Sequence, residues 1–359
     1  ESILGPSVRI SPTRFERYIS CPFAYFMQYV LGARPRQKAE LAPNISGTLT
    51  HWVLEQALRR EGSAFAKLTQ PQLEQLVESL VQEYTAANLP GAGVRMNYLL
   101  GRIQRNLVGL LGFIQRDVRQ SGFQPVAFEL RIDDRPDSDD PDAPRVDPVQ
   151  LDDGRGHTVR IVGTVDRVDT MELGGKTYIR VVDYKTGTKK FDLREVYYGL
   201  DCQMLLYLFT LERNGGWADP APENIIRPET DDAEPLQAQN YPLEGLLLDE
   251  PSIYHAMDTR GTGAFVPLSF SAKTGEPTAQ SAKARLADRE KFNRIRDHLD
   301  GMLTDMAKNL YSGEIDAAPL VPNAGKSPCL WCEYRTVCRH ADGEGERTPL
   351  KPDDPFGAE

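Results

Sequence analysis

Apolar residues recur every three or four positions through the first third of the chain, which predicts helices that pack on one another. Ser11 and Pro12 predict a helix start, because a serine side chain caps a helix and proline fits its first turn. Cys21-Pro22 interrupts that helix, and we expect the aromatic-rich stretch after it to be a buried helix. The predicted helical segments are 11–20, 23–31, 47–55, 71–88 and 95–119, with a polar linker at 34–42.

After Phe123 the apolar period changes to two, which predicts strands of one sheet at 125–132, 157–169 and 178–185. The insert 133–153 is rich in Asp and Pro and is expected to be a solvated loop. Asp192 can cap a helix that continues to Arg213. Beyond it we expect a loop over 215–240, short strands within 243–248 and 264–270, a long amphipathic helix over 279–310 and a cysteine-rich loop.

These elements predict a single α/β domain over residues 1–340, followed by an acidic, flexible tail at 341–359. Within the domain we expect a helical flank (1–120), a catalytic sheet with its helices (121–318) and the cysteine-rich loop (319–340). Because the chain begins with Glu1 instead of Met, we expect a piece of a longer protein or a processed product.

Composition narrows the class of protein. The 359 residues are 40% hydrophobic and 26% charged, which is ordinary for a globular protein. No apolar run approaches the roughly 20 residues of a membrane helix and no signal peptide is recognisable, so we expect a cytoplasmic protein without a membrane partner. The chain lacks a G-x4-G-K-[ST] phosphate loop, so it is not expected to hydrolyse ATP itself.

The net charge of −10 argues against a protein that coats duplex nucleic acid by bulk electrostatics. A narrow basic channel remains compatible with that charge. The cations near the sheet end that could line such a channel, or simply form a solvated face, are Arg160, Arg167, Arg180, Lys189, Lys190 and Arg194.

Candidate chemistry begins with the strand that ends at Gly187, because it places Asp183 and Lys185 two positions apart and therefore on one face. The strand before it carries Asp166. Two carboxylates and a lysine on adjacent strands suit a hard divalent cation and a water that attacks a phosphodiester. The alternative is an exposed hairpin with a surface Lys–Asp pair, and these residues alone leave both interpretations open.

Two helices carry further polar candidates. His51 lies four residues before Glu55, and Gln203 lies four residues before Tyr207, so each pair shares a helix face. A buried core histidine is the alternative for His51, and simple helix packing is the alternative for Gln203 and Tyr207.

Cysteine spacing predicts a second metal site. Cys329, Cys332 and Cys338 supply three thiolates in one loop, which Trp331 is expected to shield, and Cys21 could be the fourth. An odd cysteine count with a C-x2-C pair indicates metal ligation in a reducing cytosol rather than disulfides. Zinc and a 4Fe–4S cluster are both open, although three-plus-one spacing favours the cluster. Either would close a loop of about three hundred residues, worth on the order of 5 kcal/mol.

The order of these motifs resembles a known family over nearly the whole chain. The motifs are Ser11-Pro12-Thr13, Cys21-Pro22-Phe23, the Gly-x3-His that ends at His51, Gly163 to Asp169, Val182 to Gly187, Tyr197 to Gln203, and Gln203-x3-Tyr207. Together they resemble the RecB-like branch of the PD-(D/E)xK nucleases and, within it, the nuclease domain of the AddB family of helicase–nuclease subunits.

The resemblance implies a restriction-endonuclease-like core, in which a mixed central sheet is flanked by helices, with a helical N-terminal flank and an iron–sulfur staple. It implies Mg²⁺, for which Mn²⁺ can substitute, held by His51, Asp166, Asp183 and the carbonyl of Tyr184. Lys185 would position and help deprotonate the attacking water. Gln203 and Tyr207 would steady the site or the DNA backbone. The cluster ligands would be Cys21, Cys329, Cys332 and Cys338.

The same resemblance implies hydrolysis of single-stranded DNA unwound by an AddA-like helicase partner, in a heterodimer that resects and repairs double-strand breaks. The strand cut would be the one ending 5′ at the break. The alternatives are a stand-alone CRISPR-associated exonuclease and a catalytically silent iron–sulfur DNA-binding scaffold. Intact Asp166, Asp183 and Lys185 argue against the silent scaffold. Glu129 and Glu55 are expected only to support the site, and Asp169 is expected to pair with Arg167.

Overall fold

The computed structural model describes residues 4–34, 44–90, 93–121, 124–138, 140–173, 176–185, 192–214, 234–242, 268–270, 277–279, 289–322, 327–340, 344–349, 352 and 355–357. Its helices are α1 Pro12–Ser20, α2 Pro22–Tyr25, α3 Asn44–Glu61, α4 Gln70–Asn88, α5 Val94–Ser121, α6 Leu193–Tyr197, α7 Gln203–Arg213, α8 Arg289–Ser312 and α9 Arg335–Cys338. Its strands are β1 Ser7–Ile10, β2 Gln124–Ile132, β3 Arg145–Val146, β4 Gln150–Asp152, β5 Thr158–Ile161, β6 Gly163–Leu173, β7 Lys176–Lys185, β8 Glu234–Pro242, β9 Leu268–Phe270 and β10 Pro277–Ala279.

The main sheet has the strand order β3-β2-β6-β7-β8. Strands β2, β6 and β7 are antiparallel to one another, whereas β3 and β8 run parallel to their neighbours. This confirms the predicted mixed sheet in an α/β fold. A separate small sheet has the order β1-β5-β4, and β9 pairs with β10.

Helices cover both faces of the main sheet. Val165, Val168 and Val181 belong to a core shared with α1, α7 and α8. Val182 and Tyr184 belong to a second core built with α3, α4 and α5. Among the helices of the described residues, none combines the length and apolar character that a membrane crossing requires.

Local signals at the first helix act as predicted. The Ser11 hydroxyl accepts a hydrogen bond from the N–H of Arg14, and Pro12 begins α1. Cys21 is extended and ends the helix, and Pro22 begins α2. The buried helix expected up to Leu31 is wrong in part. The chain turns π-helical over Phe26–Val30, where no side chain is buried.

The strand predicted over 157–169 is in fact two strands in two sheets, β5 and β6, separated at Val162. The insert 133–153 is also more ordered than a solvated loop, because it contains β3 and β4. Its acids have local partners. Asp133 and Asp134 pair with Arg9, and the buried Asp153 carboxylate accepts the backbone N–H groups of Arg155 and His157. The ion pairs with Arg9 therefore hold the start of this acidic segment against β1.

The helix predicted over 192–213 starts at the predicted cap, Asp192, but it is two helices, α6 and α7, instead of one. Asp192 accepts the N–H of Arg194 at the start of α6, but Gly199 and Asp201 have φ values of +82° and +56° and end it. Close packing explains the glycine. A Cβ on Gly199 would lie 2.9 Å from Ile19 and 2.7 Å from Met302. Tertiary contact with α1 and α8 breaks a helix that local propensity would have continued.

Strand β8 lies where we predicted a loop. It pairs with β7 in parallel despite its polar residues and prolines. Among the described strands it is the last in the sheet order, the edge position at which proline is tolerated. The strand predicted over 243–248 lies outside the described residues. Leu268–Phe270 agrees with the end of the strand predicted at 264–270, but Ala279 lies in β10 instead of starting the long helix.

Part of the segment predicted as a flexible tail is packed against the body. Arg347 forms a parallel bridge with Leu320 and donates to the carbonyl of Ala318. Phe356 is 4% exposed and packs against Tyr197 and His298. Phe356 therefore contributes to the core around α8.

Arg167, Asp169 and Arg180 form a fully buried charged group inside the main sheet. The predicted Arg167–Asp169 pair is confirmed, with Nε 2.7 Å from Oδ1. Burial alone would raise the pKa of Asp169, but the two guanidinium groups lower it below its ordinary value. Arg167 and Arg180 therefore cannot line a surface channel. Arg160 and Arg194 pair with local aspartates, and Lys189 and Lys190 lie outside the described residues.

Asp169→Asn is expected to lower the free energy of unfolding by about 3 to 5 kcal/mol, because it removes the negative charge between two buried guanidinium groups. Asp297→Asn is the control, since Asp297 is 70% exposed and its pair with Arg296 is worth under about 1 kcal/mol. Urea-induced unfolding measures both. Equal losses in the two variants would contradict the structural role of Asp169.

Candidate functional site

The candidate site is built on the pairing of β6 with β7. Arg167 is opposite Val182, so the next residues along the two strands, Asp166 and Asp183, are neighbours. The N–H of Tyr184 donates to Oδ2 of Asp166 at 2.7 Å. A backbone amide therefore fixes one carboxylate oxygen and leaves the other directed at α3.

His51 approaches this carboxylate from α3. Its Nε2 lies 3.0 Å from the carbonyl oxygen of Tyr184, and its Nδ1 lies 3.6 Å from Oδ1 of Asp166. Because a carbonyl oxygen only accepts, Nε2 carries the proton and Nδ1 faces the carboxylate. A histidine that binds a metal characteristically donates its other ring N–H to a carbonyl in this way. In this geometry the Tyr184 carbonyl orients His51, and its direct bond to a metal stays a prediction.

Glu129 completes the cluster. One ligand atom each from His51, Glu129 and Asp166 lies within 4.8 Å of the other two, a spacing that one cation could bridge. Glu129 lies on β2 between residues that pair with Val165 and Arg167, and is therefore opposite Asp166. Its φ of +47° is rare for a residue with a side chain and marks a strained position.

Sequence reasoning gave Glu129 only a supporting role, and the strand geometry explains why. Val165 and Val168 are three residues apart yet share one core, so strict alternation is lost at Asp166. Ala127 and Leu130 on β2 are also three residues apart and share that core. An alternating pattern of apolar residues cannot reveal such an irregularity. Glu129 could have been found only by pairing the two strands, which places it opposite Asp166.

The electrostatics fit a cation site. Partial burial and the Asp166 carboxylate raise the pKa of Glu129 to about 7. Burial lowers the pKa of His51, but the hydrogen bond and charge of Asp166, with Glu129, raise it above its ordinary value overall. The two carboxylates repel each other at this position, and a bound cation would relieve that repulsion.

Asp183 contacts α7, and among the described residues it does not belong to the group of ligand atoms within 4.8 Å of one another that His51, Glu129 and Asp166 form. It is 3% exposed, and its Oδ1 accepts a hydrogen bond of 3.0 Å from Nε2 of Gln203. Tyr207, one turn later, interacts with the side chain of Gln203 and the backbone of Thr164. A Cβ on Gly163 would lie 2.8 Å from the Tyr207 ring, so the glycine admits the tyrosine. Lys185 is the last residue of β7, and its side chain lies outside the described part of the structure.

The structure brings the four predicted cysteine ligands together. They line one cavity, with Cys21 contributed by the end of α1 and the other three by the C-terminal loop and α9. Burial raises the pKa of Cys21, and nearby Cys329 and Cys332 raise it further. Within the described part of the chain, no three of the four sulfurs lie within 4.8 Å of one another. Trp331 is 89% exposed, so the prediction that it shields the cysteines is wrong.

The chain is similar to known proteins over nearly its whole length. The family model described as "PD-(D/E)XK nuclease superfamily" matches residues 9–339. A protein of Clostridium botulinum (strain Loch Maree / Type A3), named as one subunit of an "ATP-dependent helicase/deoxyribonuclease", is 28% identical over 94% of this chain and 30% of its own length. Proteins with the same name from Thermoanaerobacter sp. (strain X514) and Ruminiclostridium cellulolyticum are 29% and 27% identical over 92% and 96% of this chain. The chain spans about 30% of the length of the curated relatives it matches.

Glu129 makes a pH-dependent contribution to stability in the metal-free chain. Its folded pKa, about 7, lies above the ordinary value of 4.5, so the folded state keeps a proton that the unfolded state loses. Stability is therefore expected to fall, relative to Glu129→Gln, as the pH rises from about 4.5 to about 7. Urea unfolding of both proteins in a chelator checks this, and parallel pH profiles would contradict it.

Proposed function

The chain belongs to the PD-(D/E)XK nuclease superfamily, and we propose that it is the nuclease part of an AddB-like helicase–nuclease subunit. Its reaction is the hydrolysis of phosphodiester bonds in single-stranded DNA with the help of a divalent cation. The observation that carries the proposal is the cluster of His51, Glu129 and Asp166, in which Asp166 is fixed by the N–H of Tyr184.

The donor set fits Mg²⁺ or Mn²⁺. Carboxylate oxygens of Glu129, Asp166 and Asp183 are hard ligands that suit Mg²⁺, and the imidazole of His51 suits Mn²⁺ as well. A cation held there would lower the pKa of a water and offset charge on the phosphate. We include Glu129 among the ligands because one of its carboxylate oxygens lies within 4.8 Å of ligand atoms of His51 and Asp166.

The remaining residues act on the substrate and on the ligands. Lys185 positions the attacking water, takes part in its deprotonation and offsets the developing phosphate charge. Gln203 holds Asp183 through its hydrogen bond, and Tyr207 steadies Gln203. Asp183 and Lys185 lie two positions apart at the end of β7, a spacing that places both on one face of a strand.

The relatives are named as subunits of a helicase/deoxyribonuclease, and this chain matches about 30% of the length of each. We infer that it works in the cytoplasm as part of a heterodimer with an AddA-like helicase, which supplies the single strand. By family resemblance it cuts the strand that ends 5′ at the break, during end resection and recombinational repair.

We propose that Cys21, Cys329, Cys332 and Cys338 hold a 4Fe–4S cluster that joins the two ends of the domain. Four cysteines on one cavity supply the four thiolates such a cluster needs. The three-plus-one spacing of these cysteines along the chain is what favours the cluster over zinc.

The proposed activity predicts cleavage of an end-labelled single-stranded oligonucleotide in Mg²⁺ or Mn²⁺ and none in a chelator. Asp166→Asn, Asp183→Asn and Lys185→Met are each expected to lower the rate at least about a hundredfold. Glu83→Gln is the control, because Glu83 is half exposed and pairs only with surface groups in the described structure. Cleavage that survives Asp183→Asn would place the active site elsewhere.

The proposed cluster predicts about four iron atoms per chain and broad absorbance near about 400 nm. Cys332→Ser is expected to remove both, whereas Cys202→Ser should leave them unchanged because Cys202 is buried beside α7. Metal analysis and absorbance spectroscopy of the purified chain measure this. A colourless chain with stoichiometric zinc would contradict the cluster.

A further inference from the structure

Helix α1 leads into the cysteine cavity and contacts the start of α7, the helix that carries Gln203. Its last residue is followed by Cys21, which lies on the cysteine cavity. Five residues earlier, Glu16 accepts a hydrogen bond of 3.1 Å from the backbone N–H of Cys202. Cys202 is the residue directly before α7, whose first residue is Gln203.

This contact closes a short series of hydrogen bonds that ends at a proposed metal ligand. Oε1 of Glu16 accepts from Cys202, and Nε2 of Gln203 donates to Oδ1 of Asp183 at 3.0 Å. The first N–H groups of a helix have no partner within the helix, and a carboxylate is favoured there by the helix dipole. The side chain of Cys202 itself does not cap α7. Glu16 therefore supplies the start of α7 with an acceptor from a helix far away in the chain.

Helix α1 is held firmly enough to act as an anchor. Its Ile19 packs so closely on the turn before α7 that a Cβ on Gly199 would lie 2.9 Å away. The carbonyl of Ser20 accepts from Leu320 at 2.9 Å, and the guanidinium of Arg17 lies 5.7 Å from the ring centre of Tyr334. Both partners belong to the C-terminal segment that carries three of the cysteines.

We propose that Glu16 is a positioning residue for the metal site: by anchoring the start of α7 it sets Gln203, and through Gln203 the carboxylate of Asp183. The role of Asp183 as a ligand rests on the proposed function, whereas the anchoring of α7 does not. Glu16 contacts neither the metal nor the substrate and acts only through the helix.

The test compares Glu16→Ala, Glu16→Gln and the control Thr13→Ala, which changes an exposed residue of the same helix. Hydrogen exchange of the amides of residues 202–204 measures the anchor itself. Glu16→Ala is expected to speed exchange there by about tenfold, because it removes a hydrogen bond to a charged acceptor. Glu16→Gln keeps an acceptor oxygen and should restore most of the protection. Exchange in Glu16→Ala no faster than in Thr13→Ala would overturn the proposal.

Mn²⁺ titration followed by electron paramagnetic resonance measures the consequence. Glu16→Ala is expected to weaken Mn²⁺ binding by about tenfold in the unsubstituted background and to have little further effect when combined with Gln203→Ala. If the losses of Mn²⁺ affinity in the two single variants add up in the double variant, Glu16 does not act through Gln203 and the proposal is wrong. If the unsubstituted chain binds no Mn²⁺, the proposed function fails, while the exchange measurement still decides whether Glu16 anchors α7.

Discussion

The backbone of Tyr184 is held from two sides, and the candidate site depends on this constraint. Its N–H binds Asp166 on β6, and its carbonyl accepts from His51 on α3. One peptide segment thereby fixes the distance between two strands of the sheet and the helix layer above them. The side chains of His51 and Asp166 are partly buried, and each finds a hydrogen-bond partner on this backbone, which lowers the cost of taking them out of water.

Charge deeper in the sheet supports the same segment. Arg167 donates to the hydroxyl of Tyr184 and pairs with Asp169, which also binds Arg180. Any arrangement of β6 and β7 that separated the buried carboxylate from the guanidinium groups would leave a buried charge without a counter-charge, at a high cost in free energy. These residues therefore favour one arrangement of the two strands. The proposed cation ligands and the residues that hold the strands together therefore lie close to one another along the same short stretch of chain.

Much of the fold and of the site was predictable from local signals. Alternation along strands placed Asp166 and Asp183 on neighbouring strands, because side-chain direction in a strand follows from spacing alone. The cysteines were recognisable because metal ligands occur at short, regular spacings. The errors lie where distant parts of the chain decide local structure. Strand β8 is held by pairing with β7, which is distant from it in the chain, and α6 ends where Ile19 and Met302 occupy the space beside Gly199.

The sequence by itself determined which groups could bind metals, since ligand chemistry belongs to residue types and to their spacing along strands and helices. Only the tertiary structure decided that Glu129 joins His51 and Asp166, that Trp331 faces solvent, and that Glu16 reaches the start of α7. Each of these depends on contacts between residues far apart in the chain. Periodicity carries no information about such contacts, because they are set by how whole elements pack together.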